Sequence, residues 1–241
     1  MRLLIDFLTR FGWGLAIGLV LTPATVVPAG FFRVNMLVVM GLATFAALLA
    51  HSAGPVGVWP LAAAAAVGAW MGSVAWLGEK RRAGIGFCVA CAAILAAATV
   101  VPLATAPITA AVALLSGLVT GLTVHAMLLG HWYLNAPGMR IDALRRVIDV
   151  ALVAWAARLV AAVAEAAPGL TAVLERSDAT SLSLLALRWL AGLVGLPVLL
   201  VMSRKTLDIP NTQSATGILY VACLAAILGE LTAQLLAATP S

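Results

Sequence analysis

Apolar residues fill this 241-residue chain in stretches of about 20, separated by short segments rich in Gly, Pro and charge. A helix rises 1.5 Å per residue and the hydrocarbon core of a bilayer is about 30 Å thick, so about 20 residues make one crossing. That count predicts eight spans, near 3–22, 35–53, 57–77, 85–105, 108–132, 144–166, 182–203 and 213–237. The segments between them carry turn chemistry: Thr22-Pro23 with Pro28-Ala29-Gly30, Gly54-Pro55, Gly78 to Gly84, Pro102 to Pro107, Asn135-Ala136-Pro137-Gly138, Pro168-Gly169 and Asp208-Ile209-Pro210-Asn211. No loop is long enough to hide a soluble domain. The expected fold is therefore an all-α integral membrane protein, one polytopic domain over 1–241 built as a bundle of about eight transmembrane helices with short loops. The first span alone has a second reading, because Asp6 and Arg10 also suit an interfacial amphipathic start. No repeat relates the first four spans to the last four, which weighs against an inverted-repeat transporter.

Composition changes this picture only by strengthening it. Hydrophobic residues are 63% of the chain and charged residues 10%, where a soluble domain carries about 25% charge. Abundant Ala and Gly suit helices whose backbones approach closely. The net charge of +5 is not a nucleic-acid signal, because the basic residues sit mostly in short loops. Arg33, Lys80, Arg81, Arg82, Arg140, Arg145, Arg146, Arg204 and Lys205 fall on one side, nine in all, against Arg2, Arg10 and Arg176 on the other. The bias makes the loops after spans 1, 3, 5 and 7 cytoplasmic and leaves both termini non-cytoplasmic in a cell (inner) membrane. Asp6 and Arg10 interrupt the start of the chain and no small-residue cleavage site follows, so the first span is expected to stay rather than act as a cleaved signal.

Depth then sorts the polar residues. Span 5 ends in His125-Ala126-Met127-Leu128-Leu129-Gly130-His131-Trp132-Tyr133, with His125 about 10 Å inside the cytoplasmic face. Span 6 begins across the loop with Arg145, Arg146 and Asp149. Span 8 begins there with Asn211-Thr212-Gln213-Ser214-Ala215-Thr216, followed by Tyr220. Its free backbone N–H groups and positive dipole end favour an anion or a carbonyl oxygen. His125, His131, Trp132, Tyr133, Arg145, Asp149, Gln213, Thr216 and Tyr220 are thus candidate ligands for a quinone or an anionic lipid head group. An aromatic belt with basic anchors, and Asn211 or Thr212 as the cap of span 8, explains the same Trp, Tyr and Arg residues without a ligand.

Cys88 and Cys91 lie on one face of span 4 at nearly the depth of His125 and His131. Two thiols and two imidazoles make a zinc-like set, and a dithiol linked to a quinone is the redox version. Against both, His125 and His131 differ by about 600° of helical rotation, and Cys in an Ala-rich helix is ordinarily a small packing residue. Cys223 reads as packing. His51 lies at the opposite face from His125 and His131, which excludes haem between them and leaves only a single-His or His125–Met haem.

Charges within the spans complete the inventory. Arg158 and Glu165 in span 6, Arg188 in span 7 and Glu230 in span 8 fall where an isolated charge costs at least ~2.5–3.5 kcal/mol. They are expected to pair and face inward, with Thr232 and Gln234 one turn from Glu230. Such a node either locks spans 6 to 8 together or forms a proton or anion pathway. Eight spans with outside termini and the string Gly229-Glu230-Leu231 resemble, in those two respects, the membrane-anchor subunits of molybdenum oxidoreductases of the dimethyl-sulfoxide-reductase type. No nucleotide-binding loop, metalloprotease helix or nucleophile elbow is present. The leading expectation is a non-catalytic membrane subunit that binds quinone or lipid head group at the cytoplasmic ends of spans 5, 6 and 8, with other subunits of a redox complex as partners. The alternative is a small-solute or proton-coupled transporter using Arg158, Arg188 and Glu230. A lipid-directed enzyme using Asp149 and His125 as acid and base is the third.

Overall fold

The computed structural model describes residues 1–136, 139–166, 179–209 and 211–238, with the backbone alone at 165 and 166. The Pro137-Gly138 and Pro168-Gly169 turns, Pro210, Arg176 and the Glu165 side chain lie outside this description. Among the described residues, eight helices are long and apolar enough to cross a membrane. They are α1 (Arg2–Leu21), α2 (Ala29–Ala53), α3 (Val58–Leu77), α4 (Arg81–Val100), α5 (Pro107–Asn135), α6 (Asp142–Ala166), α7 (Ala179–Thr206) and α8 (Thr212–Ala238). A 3₁₀ turn (Val101–Leu103) prolongs α4. Val153, Val160, Leu190, Val198, Phe45 and Leu48 are exposed on the outer faces, as an apolar solvent permits and water would not.

The packing order follows from where side chains are small. α2, α3 and α4 form successive hairpins, α5, α6, α7 and α8 a second group, and α1 against α5 is the main seam between them. Two-thirds of the apolar window of α5 is buried (67%) but only 17% of that of α7, so α5 is the axis of the bundle and α7 its rim. The α1–α5 seam is backbone against backbone. A Cβ built on Gly121 would stand 2.2 Å from the carbonyl carbon of Gly14, and one on Gly14 would overlap the carbonyl of Gly117. Only glycine at these three positions lets the helix axes come so close, the device of small-residue membrane interfaces. Trp13 closes the crossing by donating from Nε1 to the Leu114 carbonyl at 3.1 Å.

α7 is not a uniform helix. Between its α-helical ends, Arg188–Gly195 winds as a π-helix. Wider winding over eight residues is rare, and π segments inside α-helices concentrate at functional sites. The segment lies along α8, where Gly192 meets Gly229 so closely that a Cβ on Gly229 would be 2.6 Å from the Gly192 Cα.

Candidate functional site

Five polar side chains come to one level from five different helices. Arg158, Arg188 and Glu230 come from α6, α7 and α8 to the region where Arg10 and Ser116 stand eight and nine residues from the first residues of α1 and α5, Arg2 and Pro107. At 1.5 Å per residue that is about 12–14 Å in, well inside the hydrocarbon layer. A charge at that depth must find an acceptor within the protein. Arg10 donates to Glu230 Oε1 at 2.9 Å, with the two side chains 16% and 5% exposed. Gln234, one turn along α8, donates from Nε2 to the same oxygen at 2.6 Å. Arg158 Nε donates to Ser116 Oγ at 2.9 Å, tying α6 to α5. Asp6 lies one turn out from Arg10, with Arg2 at 4.0 Å.

These groups border two chambers. The outer, of about 730 Å³, lies between the ends of α1, α5 and α8 and includes Arg2, Asp6, Arg10, Thr109, Val112, Gln234 and Ala238 in its walls. The inner, of about 40 Å³, is bordered by Thr120, Trp155, Gly192, Leu193, Leu196, Ala226, Gly229 and Glu230 and has room for a few waters. Ser116, Arg158, Arg188 and Ala233 line both, so they form the neck between the chambers. Beyond the inner chamber the bundle is filled by Leu129, Leu144, Ile148, Leu200 and Leu219, all fully buried. The two cavities thus lie between one end of the bundle and this packed region. The π-helical segment supplies Arg188, Gly192 and Leu193 to the wall of the inner one.

At the other end, the nine residues considered for a head group separate into distinct environments. His125 is fully buried and turned toward α1, where its ring occupies the space beside Gly18 and its Nε2 is 2.7 Å from Thr22 Oγ1. That hydroxyl also donates to the Gly18 carbonyl at 2.8 Å, so it has only lone pairs left for the imidazole and Nε2 carries the proton. Trp132 packs on Phe31, which also meets His125 edge-on. Tyr133 donates to the Arg140 carbonyl. Arg145 donates to the Leu207 carbonyl and lies 3.5 Å from Asp208, while Asp149 accepts from Arg204 at 2.9 Å. Those pairs fasten α6 to the end of α7 and the turn that follows it. Thr216 is buried against Gly130 and donates to the Thr212 carbonyl, Gln213 is exposed, and Asn211 caps α8 by accepting from the Ser214 N–H at 3.0 Å. Only His131 and Tyr220 meet at the exposed surface, Oη to Nδ1 at 3.1 Å.

The thiols likewise face away from the histidines. Cys88 donates to Met36 Sδ at 3.6 Å and Cys91 to the Ala65 carbonyl at 3.5 Å, both buried among α2 and α3. Among the described residues no three His, Cys, Asp or Glu side chains gather as a metal-binding group. Cys223 donates to the Thr123 carbonyl on α5.

Residue counting along the sequence had assigned Arg10 to the charges of the terminal face. Its partnership with Glu230 is the part of the node that such counting misses. The available signal was the Asp6-to-Arg10 spacing of one helical turn within an otherwise apolar helix, which puts both charges on a single face. Comparison of the chain with protein-family models, with curated proteins and with solved structures finds no match.

Proposed function

We propose that this chain is a membrane carrier for a small polar solute, which enters the outer chamber and reaches the neck at Ser116, Arg158 and Arg188. The observation that carries the reading is the 730 Å³ chamber ending on charges held 12–14 Å inside the bundle (about 1.5 Å per residue). A node whose only task was to lock helices would be better dry, because buried ion pairs are rarely the stablest way to fill a core. The neck is the substrate-binding level, and the Arg10–Glu230 pair lies beside it. With the basic loops cytoplasmic, the chamber opens to the non-cytoplasmic side, and the apolar plug around Ile148 and Leu200 is the inner barrier.

The test is uptake into proteoliposomes of inorganic phosphate, succinate, glycine and glucose, each poorly permeant alone. The carrier reading expects at least one to enter faster than into protein-free vesicles, and Glu230→Gln to abolish the difference. Equal uptake with and without protein for every solute would overturn it.

A second reading is favoured by the exposed His131–Tyr220 contact: a non-catalytic subunit of a redox complex holding a quinone or lipid head group there. Quinone in an organic extract of the purified protein, lost on Tyr220→Phe, would support that reading instead. His125, fully buried and hydrogen-bonded to Thr22, holds α5 against the end of α1 in either reading.

A further inference from the structure

Basic residues at the end of the bundle that holds the α3–α4 turn fall into two groups. Around α6 and α7, Arg140, Arg145 and Arg204 each have an aspartate within reach: Asp142, Asp208 and Asp149. Arg33 on α2 and Lys80, Arg81 and Arg82 at the α3–α4 turn are exposed, and none of them forms an ion pair among the described residues. The turn's own acid, Glu79, is exposed and pairs with none of the four. Orientation in the membrane accounts for the side on which these cations lie, but not for their having no acidic partner.

Packing around Trp76 brings the four to one corner. Phe32 of α2 stacks on Trp76 of α3 with ring centroids 4.3 Å apart, and the start of α4 presses on the same ring, since a Cβ on Gly84 would be 2.4 Å from it. Arg33 follows Phe32, Lys80 comes shortly after Trp76, and Arg81 and Arg82 shortly before Gly84. The turn is held by the Lys80 N–H on the Ala75 carbonyl at 3.0 Å and the Gly84 N–H on the Lys80 carbonyl at 2.9 Å. Beside these cations, Val34, Val74, Leu77 and Ile85 are exposed on the same three helices. Free cations at helix ends next to exposed apolar side chains match an amphiphile better than a water-soluble anion.

We propose that this corner of α2, α3 and α4 binds an anionic phospholipid, with its phosphate among Arg33, Lys80, Arg81 and Arg82 and its acyl chains along Val34, Val74 and Leu77. The proposal is independent of the two chambers and of the carrier reading.

The test uses the purified full-length chain in mild detergent, titrated with phosphatidylglycerol and, separately, with phosphatidylcholine of the same acyl chains, and followed by native mass spectrometry and thermal unfolding. The expected result is saturable binding of phosphatidylglycerol, weakened by salt, with a rise in melting temperature that phosphatidylcholine does not give. Lys80→Gln, Arg81→Gln and Arg82→Gln together should weaken that binding about a hundredfold, at about fivefold per charge. Arg33→Gln alone should weaken it about fivefold and serves if the triple variant fails to fold. Arg146→Gln with Lys205→Gln removes two exposed basic groups elsewhere at the same end and should leave binding unchanged, which separates a local site from net charge. Equal binding of the two lipids, wild-type binding in the corner variants, or a comparable loss in the Arg146 and Lys205 variant would overturn the proposal. So would displacement of the lipid by an equal concentration of inorganic phosphate, which would assign the corner to a soluble anion.

Discussion

Arg10 and Glu230 are 220 positions apart in sequence and 2.9 Å apart in space, and their meeting explains how charge is tolerated in both helices. Neither group could enter lipid alone. Removing one leaves the other desolvated and unmatched, which in a buried pair costs about 3–5 kcal/mol. Glu230→Leu should therefore destabilise the protein by roughly 3 kcal/mol, reduced from the upper figure because Arg10 keeps some exposure. Adding Arg10→Leu should restore most of that loss, measured as a double-mutant cycle on unfolding in mixed detergent micelles. Additive losses in the double variant would mean the two groups do not depend on each other. At this scale, residue counting along the sequence placed Arg158, Arg188 and Glu230 at similar depth, and the inner chamber touches all three. What counting cannot supply is rotation. Whether His125 faces a ligand or α1 is decided by the missing side chain of Gly18, which makes room for the ring.

Among the elements, the crossings of α1 with α5 and of α7 with α8 set the size of the site. Both depend on glycine as a spacer rather than as a turn former. Gly121→Ala pushes a methyl group into the Gly14 backbone at 2.2 Å and forces the helices apart, so it should destabilise by about 2 kcal/mol or more. Gly41→Ala on α2 meets nothing within 4 Å and should be neutral or stabilise by up to about 1 kcal/mol through helix propensity. Thermal unfolding of the two variants side by side checks this, and equal effects would contradict the close crossing. Spans were legible because bilayer thickness sets their length and lipid demands an apolar surface. The π-helix was not, because an Arg-Trp-Leu-Ala-Gly run has no signature that separates wider winding from an ordinary turn. Within it Gly192 contacts Gly229, a contact that only the assembled bundle supplies.

For the whole molecule, the two ends of the bundle differ in kind. At one end, ion pairs among Arg145, Asp149, Arg204 and Asp208 join α6 to α7 and the turn after it, over a packed apolar core. The other admits a chamber whose walls come from the first turns of α1 and the last turns of α8. On the carrier reading proposed above, water and solute reach the mid-bundle charges from that end alone. Ala233 lines both chambers, and Cys for Ala there is a small change, while Cys88, Cys91 and Cys223 are buried. The decisive measurement is labelling of Ala233→Cys by a charged, membrane-impermeant thiol reagent added to one side or the other of oriented vesicles. Rapid labelling from the face bearing the chain ends, and none from the face bearing the α5–α6 turn, is the expected result. A thiol that reacts from neither side, or equally from both, would contradict it.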